Sequence, residues 1–369
     1  MSTLSRMRHA AARLREWMKR YERFIVPAAL ICGFLVDTQI FTRVDLLWND
    51  LLLIAYLLLA AAGIVLVHLA DERQLHGWVT RTIAAVMPLV IQFSFGSLFK
   101  GLIIFYGESA SLAVNWIFVV VLAFLLIVSE VFIHNYRRFP YQMGLWFFLL
   151  LSYNAFYLPV LLGRIGPWIF LASIVESAAI LVAFIWLLSR LVPKRAAASR
   201  EFVLILAGGI AAAFAGLYFL GAIPPLPLSL MDAGVAHAVT KEGDAYVAFV
   251  EPRPWYDWYE SYNTQLHLSD GNPAYVYTSV FAPSRLSLTI THEWQRYDEA
   301  SGQWVTEATV SFPVNGGRDG GYRGYSMKND PRPGKWRVNV LTGYGAIIGR
   351  VSFSVDAASG TPALEKTAI

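Results

Sequence analysis

Gly221-Ala222-Ile223-Pro224-Pro225-Leu226-Pro227-Leu228 is where the character of the chain changes. Before it, apolar residues continue for about 20 positions at a time, the length a helix needs to cross a hydrocarbon layer. After it, apolar and polar residues alternate with a period of two, the pattern of strands that bury one face. The prolines Pro224, Pro225 and Pro227 predict a stiff, extended connector over 222–230. The fold class expected is therefore a membrane-embedded all-α helical bundle followed by an all-β antiparallel sandwich.

Composition agrees with the first half of that reading. Of 369 residues, 56% are hydrophobic and 15% charged, against roughly 45–50% and about 25% in soluble proteins. Mean hydropathy is +0.48. This composition speaks against a soluble enzyme built around one core. Residues 1–221 carry 18 Lys/Arg and 11 Asp/Glu, whereas 222–369 carry 12 and 15. The basic excess sits with the apolar runs, so the pI near 9.0 does not indicate nucleic-acid binding. Cys32 is the only cysteine, so no intramolecular disulfide exists, and no Cys/His spacing suits zinc.

Residues 1–23 read as a basic amphipathic leader, with Arg6, Arg13, Arg15, Lys19 and Arg20 around an apolar stripe. A bundle over 24–221 follows, with seven spans expected at about 24–41, 51–70, 83–105, 112–133, 143–162, 167–189 and 202–221. Trp48, Trp78, Trp116, Trp146, Trp168 and Trp186 lie near span ends, where amphipathic rings settle. The leader and alternate connections hold 15 Lys/Arg, against Arg43, Lys100 and Arg164 on the other side. By the positive-inside rule the N-terminus is cytoplasmic. An odd number of spans then puts the C-terminal domain outside.

In the second half, Leu286, Leu288, Ile290, His292 and Trp294 share one strand face. Trp304, Thr306, Ala308, Val310 and Phe312 share another, as do Trp336, Val338 and Val340, and Ile347, Val351, Phe353 and Val355. Asp298–Gly302 and Gly343-Tyr344-Gly345 read as turns. Further strands are expected at 245–250 and 275–281. The domain is set at 231–357, with a disordered tail over 358–369.

Several pieces of this half resemble, in the right order, a known bacterial family. They include Tyr277-Thr278-Ser279-Val280-Phe281-Ala282-Pro283, His292-Glu293-Trp294-Gln295, the glycine-rich run from Phe312 to Gly324, Pro333-Gly334-Lys335-Trp336-Arg337-Val338 and Gly349-Arg350-Val351-Ser352-Phe353. The stretch from about 223 to 355 resembles the family known as domain of unknown function 2914. The resemblance implies a multi-span membrane region before the domain, and places it in an inner membrane with the domain in the periplasm. It brings no activity, cofactor or catalytic residue.

Candidate sites follow from the chemistry of burial. Polar groups inside spans are costly unless paired or solvated, which singles out Asp37, Gln92, Lys100, Asn154 and Glu176. Two readings stay open: a polar cavity toward the outer leaflet, with Lys100 pairing Glu176 or Asp37, or interhelical hydrogen bonds that only hold the bundle. In the outer domain Trp255, Tyr256, Trp258 and Tyr259 suit a sugar, the membrane interface or a protein partner, and equally suit packing on a sheet edge. Arg318, Asp319 and Arg323 lie in the glycine-rich run, which reads as a long loop or an anion nest. His292, on the apolar face, reads as a hydrogen-bonded core histidine, with Glu293 pointing the other way. No elbow or zincin motif appears.

The function expected is a non-enzymatic envelope binding or scaffolding module. Its partners would be the lipid bilayer and an envelope protein, glycan or lipid, with no cofactor and no nucleic acid. A small transporter or channel, or a membrane enzyme acting on lipid-linked substrates, are the alternatives.

Overall fold

The computed structural model describes residues 24–25, 28–35, 47–72, 78–109, 116–131, 138–224, 227–243, 245–253, 262–283, 286–318 and 320–369. The chain forms two compact units, one helical and one centred on 220–369.

The helical unit contains α1 (28–35), α2 (Leu47–Glu72), α3 (Trp78–Ser109), α4 (Trp116–Val131), α5 (Phe139–Leu162), α6 (Pro167–Leu191) and α7 (Pro193–Phe219). Five of them, α2, α3, α5, α6 and α7, are long and apolar enough to cross a membrane. Of the seven expected spans, the fourth is a shorter apolar helix within the described residues, and the first is described only in part.

Burial ranks these helices. In its most apolar stretch α3 buries 72% of residues and α5 72%, whereas α6 buries 33% and α7 17%. The central pair is cemented by Phe105 and Phe156, stacked at 4.9 Å. The Tyr106 hydroxyl also donates to the Ser152 carbonyl at 2.9 Å. α1 crosses α3 at two glycines. A Cβ on Gly33 would lie 2.1 Å from the Phe93 carbonyl oxygen, and one on Gly96 2.0 Å from that of Leu30. Only residues without side chains let two backbones approach this closely.

Helix ends follow their local chemistry. Gly163, at φ 60°, ends α5 in the left-handed region. Pro167 and Pro193 open α6 and α7, where the missing N–H costs nothing. The Glu72 carboxylate at the end of α2 accepts the Lys194 and Arg195 amides at 3.0 and 3.1 Å, capping the positive end of α7.

The second unit is β-rich. Its strands are β1 (Ser229–Ala236), β2 (Ala238–Glu242), β3 (Ala245–Val250), β4 (Gln265–Leu268), β5 (Ala274–Phe281), β6 (Ser287–Asp298), β7 (Gln303–Asn315), β8 (Tyr322–Lys328), β9 (Gly334–Thr342), β10 (Ile347–Ala357) and β11 (Glu365–Ala368). They form sheets of order β1-β5-β8, β4-β10-β9-β6-β7 and β11-β3-β2. The first two contribute to one core: Val235 and Val276 from the smaller sheet, Trp294, Trp336, Val338, Val351 and Phe353 from the larger. The Trp294 ring lies edge-on to Trp336 and Phe353, a favoured aromatic geometry.

Four details differ from the sequence reading. The β6–β7 register shifts at Trp294/Gln295, so Trp304 and Thr306 lie on the Glu293 face while Ala308 and Phe312 pack on the core. β4 pairs with β10 in parallel, so the larger sheet is not purely antiparallel. A bulge between Ile347 and Gly349 shifts the phase of β10, so Ile348, not Ile347, is fully buried. The residues expected as a disordered tail carry β11, paired with β3, and Ile369 is buried in the small cluster around Tyr277. All four residues of β11 are exposed, so no apolar alternation marks it; it is held by its backbone at the β3 edge.

Candidate functional site

Four of the five polar residues expected inside the spans lie among the described residues. Asn154 on α5 donates from Nδ2 to the Ser177 Oγ at 3.0 Å, and Ser177 donates to the Ser173 carbonyl at 2.7 Å. Gln92 and Lys100 are buried, and the Lys100 ammonium lies 5.9 Å from the Phe34 ring centroid. Glu176 lies on the exposed side of α6, next to the 68% exposed Val175. Asp37 lies outside the described residues.

A polar cluster that sequence reading did not single out joins α2, α5 and α7. His68 is fully buried. The Arg195 guanidinium donates to its Nδ1 at 2.8 Å. Arginine only donates, so Nδ1 is the acceptor and Nε2 carries the proton. Nε2–H then donates to Gln142 Oε1 at 2.8 Å. Arg195 also pairs with Asp71 at 3.2 Å. No motif spacing marks these residues, which are far apart in sequence.

In the β-rich unit, Trp255, Tyr256, Trp258, Tyr259 and Asp319 lie outside the described residues. Arg318 and Arg323 are exposed, and the Arg318 guanidinium sits 5.1 Å from the Tyr322 ring centroid. The glycines around them answer to packing. A Cβ on Gly316 would lie 1.9 Å from the Pro283 carbonyl oxygen, and one on Gly324 2.4 Å from the Phe312 ring. His292 is the expected core histidine. Fully buried, it is bonded to the Thr278 hydroxyl at 3.0 Å and the Ser326 hydroxyl at 2.8 Å. Burial lowers its pKa to about 4, so it is neutral at physiological pH.

The richest polar arrangement is on the other face of the larger sheet, where Glu293 points. The Asn339 amide donates to Glu293 Oε2 at 2.9 Å, and so does that of Gln295 at 3.0 Å. Arg337 Nε donates to Gln295 Oε1 at 2.7 Å, and Arg350 Nε to Asn339 Oδ1 at 2.7 Å. The Arg337 guanidinium lies 4.3 Å from the Trp304 ring centroid, and the Tyr297 ring sits edge-on to Trp304 at 5.3 Å. Alternation on β6, β9 and β10 explains the convergence: Trp294, Val338 and Val351 face the core, so Glu293, Asn339 and Arg350 face away. Partial burial, with Arg350 as neighbour, pulls the Arg337 pKa down, and burial does the same to Arg350; both stay charged. Their Nε atoms are used within the network, which fixes both planes and leaves the terminal nitrogens as donors.

A second titratable group follows β3. Glu251 accepts His267 N–H at 2.7 Å, His267 Nδ1 at 2.7 Å and His237 Nε2 at 2.8 Å. Burial alone would raise its pKa; these donors outweigh that and hold it below the ordinary carboxylate value. Among the described residues no group of three or more His, Cys, Asp or Glu is arranged to hold a metal.

No curated protein matches the chain. Among solved structures, the Pseudomonas fluorescens alkylpurine DNA glycosylase AlkC bound to DNA containing an abasic site analog aligns at 12% identity. It covers 84% of this chain and 99% of that one, with a TM-score of 0.22, a level that carries no argument about fold or function. Residues 287–355, which hold the whole Glu293–Arg337–Arg350 network, match the family model described as "Protein of unknown function (DUF2914)".

Proposed function

We propose that the chain is a multi-pass protein of a bacterial inner membrane, with a cytoplasmic N-terminus, seven spans and a periplasmic sandwich domain. That domain acts as a non-enzymatic envelope binding or scaffolding module. The charge bias of the connections supports the orientation. The observation that carries the binding reading is the Glu293, Gln295, Arg337, Asn339, Arg350 and Trp304 array on one sheet face. Pre-oriented guanidinium and amide donors beside an indole suit a hydroxyl-rich ligand that also carries anionic groups. An acidic envelope glycan is the class of partner that fits.

The test is co-sedimentation of the purified full chain with isolated cell-wall glycan. Replacing Arg337 and Arg350 together with Gln should lower binding at least about tenfold, the worth of one or two charge-assisted hydrogen bonds. The melting temperature should hold. Equal sedimentation of the double variant and the parent would remove this reading.

A second reading, transport of a polar solute, has one observation in its favour. The Tyr153 hydroxyl is buried without a hydrogen-bond partner among the described residues, within electrostatic reach of Asp50 and Glu176. It ranks second because Asn154, the polar residue next to it, is already satisfied by Ser177.

A further inference from the structure

A groove of about 560 Å³ runs between the start of α5 and the first half of α7. Its lining combines polar Arg138, Tyr141 and Ser199 with apolar Pro140, Ala198, Phe202 and Leu206. The Arg138 backbone is anchored at the first turn of α5, where its carbonyl accepts the Gln142 amide at 3.2 Å. Arg138 is exposed and, among the described residues, forms no ion pair and is the one charged residue lining the groove. By contrast Arg195, four residues before Ser199 on α7, is taken up by Asp71 and His68. Phe202 is 60% exposed although it borders this concavity.

We propose that this groove binds one anionic phospholipid. The phosphate sits against the Arg138 guanidinium and the Ser199 hydroxyl, and an acyl chain lies along Phe202 and Leu206. Two features of the lining choose the occupant. An apolar trough on a helix long enough to span the bilayer is filled by an acyl chain. Among the described residues the lining has one cation, two hydroxyls and no carboxylate, which selects a net negative headgroup over a zwitterionic one. The glycan reading of the β-rich unit plays no part in this argument.

The experiment is native mass spectrometry of the full chain released from mixed micelles. These contain dioleoyl phosphatidylglycerol and dioleoyl phosphatidylcholine, which share acyl chains and differ in headgroup charge. The parent should retain phosphatidylglycerol about fivefold over phosphatidylcholine, the preference one basic side chain near a headgroup confers. Arg138→Gln should bring that ratio to about 1 while total lipid retained stays similar. Ala198→Trp, which fills the groove and keeps the arginine, should lower retention of both lipids. Circular dichroism on each variant reports folding, and Ser199→Ala, a milder change, should lower the ratio part-way. Equal retention of the two lipids by the parent would overturn the proposal. So would an unchanged ratio in Arg138→Gln, full displacement of lipid by inorganic phosphate, or a second copy of the chain held in place of lipid.

Discussion

The two units satisfy their polar side chains in opposite ways. In the helical unit, side chains mostly donate to backbone carbonyls. Ser94 donates to Val90, Ser152 to Phe148 and Ser177 to Ser173 on their own helices. Trp146 Nε1 donates to the Leu57 carbonyl and Ser97 to that of Gly33, across helices. In the β-rich unit, side chains bond to one another across strands, as in the Glu293–Gln295–Asn339–Arg337 array. Sheet carbonyls point along the ladder, in the plane of the sheet, so side chains projecting from one face find each other. A helix carbonyl keeps a spare lone pair that a serine one turn later can reach. Polar chemistry is thus dispersed in one unit and concentrated on a surface in the other.

The largest expected break is in the β core. Trp294→Ala removes a fully buried indole whose Nε1 donates to Ser326 at 2.9 Å. It should cost about 4 kcal/mol, read as the denaturant midpoint of the β-rich unit's near-ultraviolet signal; the helical signal should survive.

Next in size is a pH effect confined to the same unit. His292 has a pKa near 4 in the folded chain and about 6.5 when unfolded. Between those values the unfolded chain binds more protons, so stability is complete above pH 6.5 and falls as pH drops toward 4. The loss is roughly 3 kcal/mol over that window. His292→Gln should flatten this part of the stability–pH curve, whatever it does to absolute stability. A slope unchanged in the variant would show that another group carries it.

The smallest effect sharpens the helical side. Gly96→Val puts carbon against the Leu30 carbonyl and should separate α1 from α3 at a cost of about 2 kcal/mol. The midpoint of heat-induced precipitation in detergent reads it. The β-rich unit should not respond.

How much of this was legible in sequence depended on range. The helices were, because twenty-odd apolar positions in a row leave a local mark. So were the core faces of β6 and β9, where Ile290, His292 and Trp294, and Trp336, Val338 and Val340, alternate without a break. Ile347 was misplaced because a bulge inserts a residue that alternation cannot register. β11 was missed because its residues are polar and its partner lies far back in the chain.

Sites followed the same rule. Glu293 was seen to point away from the core, yet its partners Asn339, Arg337 and Arg350 come from other strands and only the sheet order β10-β9-β6 unites them. His68, Gln142 and Arg195 meet from three helices. Lone polar residues such as Asn154 were visible as oddities, but Ser177, which satisfies it, looked ordinary.

The pairing of β11 with β3 sets a timetable for synthesis. β2 and β3 leave the ribosome before β4 to β10, and their hairpin must wait with one border of unpaired amides and carbonyls while those strands emerge. Closure comes only when Ala368 reaches Val247. A stall in translation anywhere after β3 would therefore leave that border open for a foreign strand to occupy.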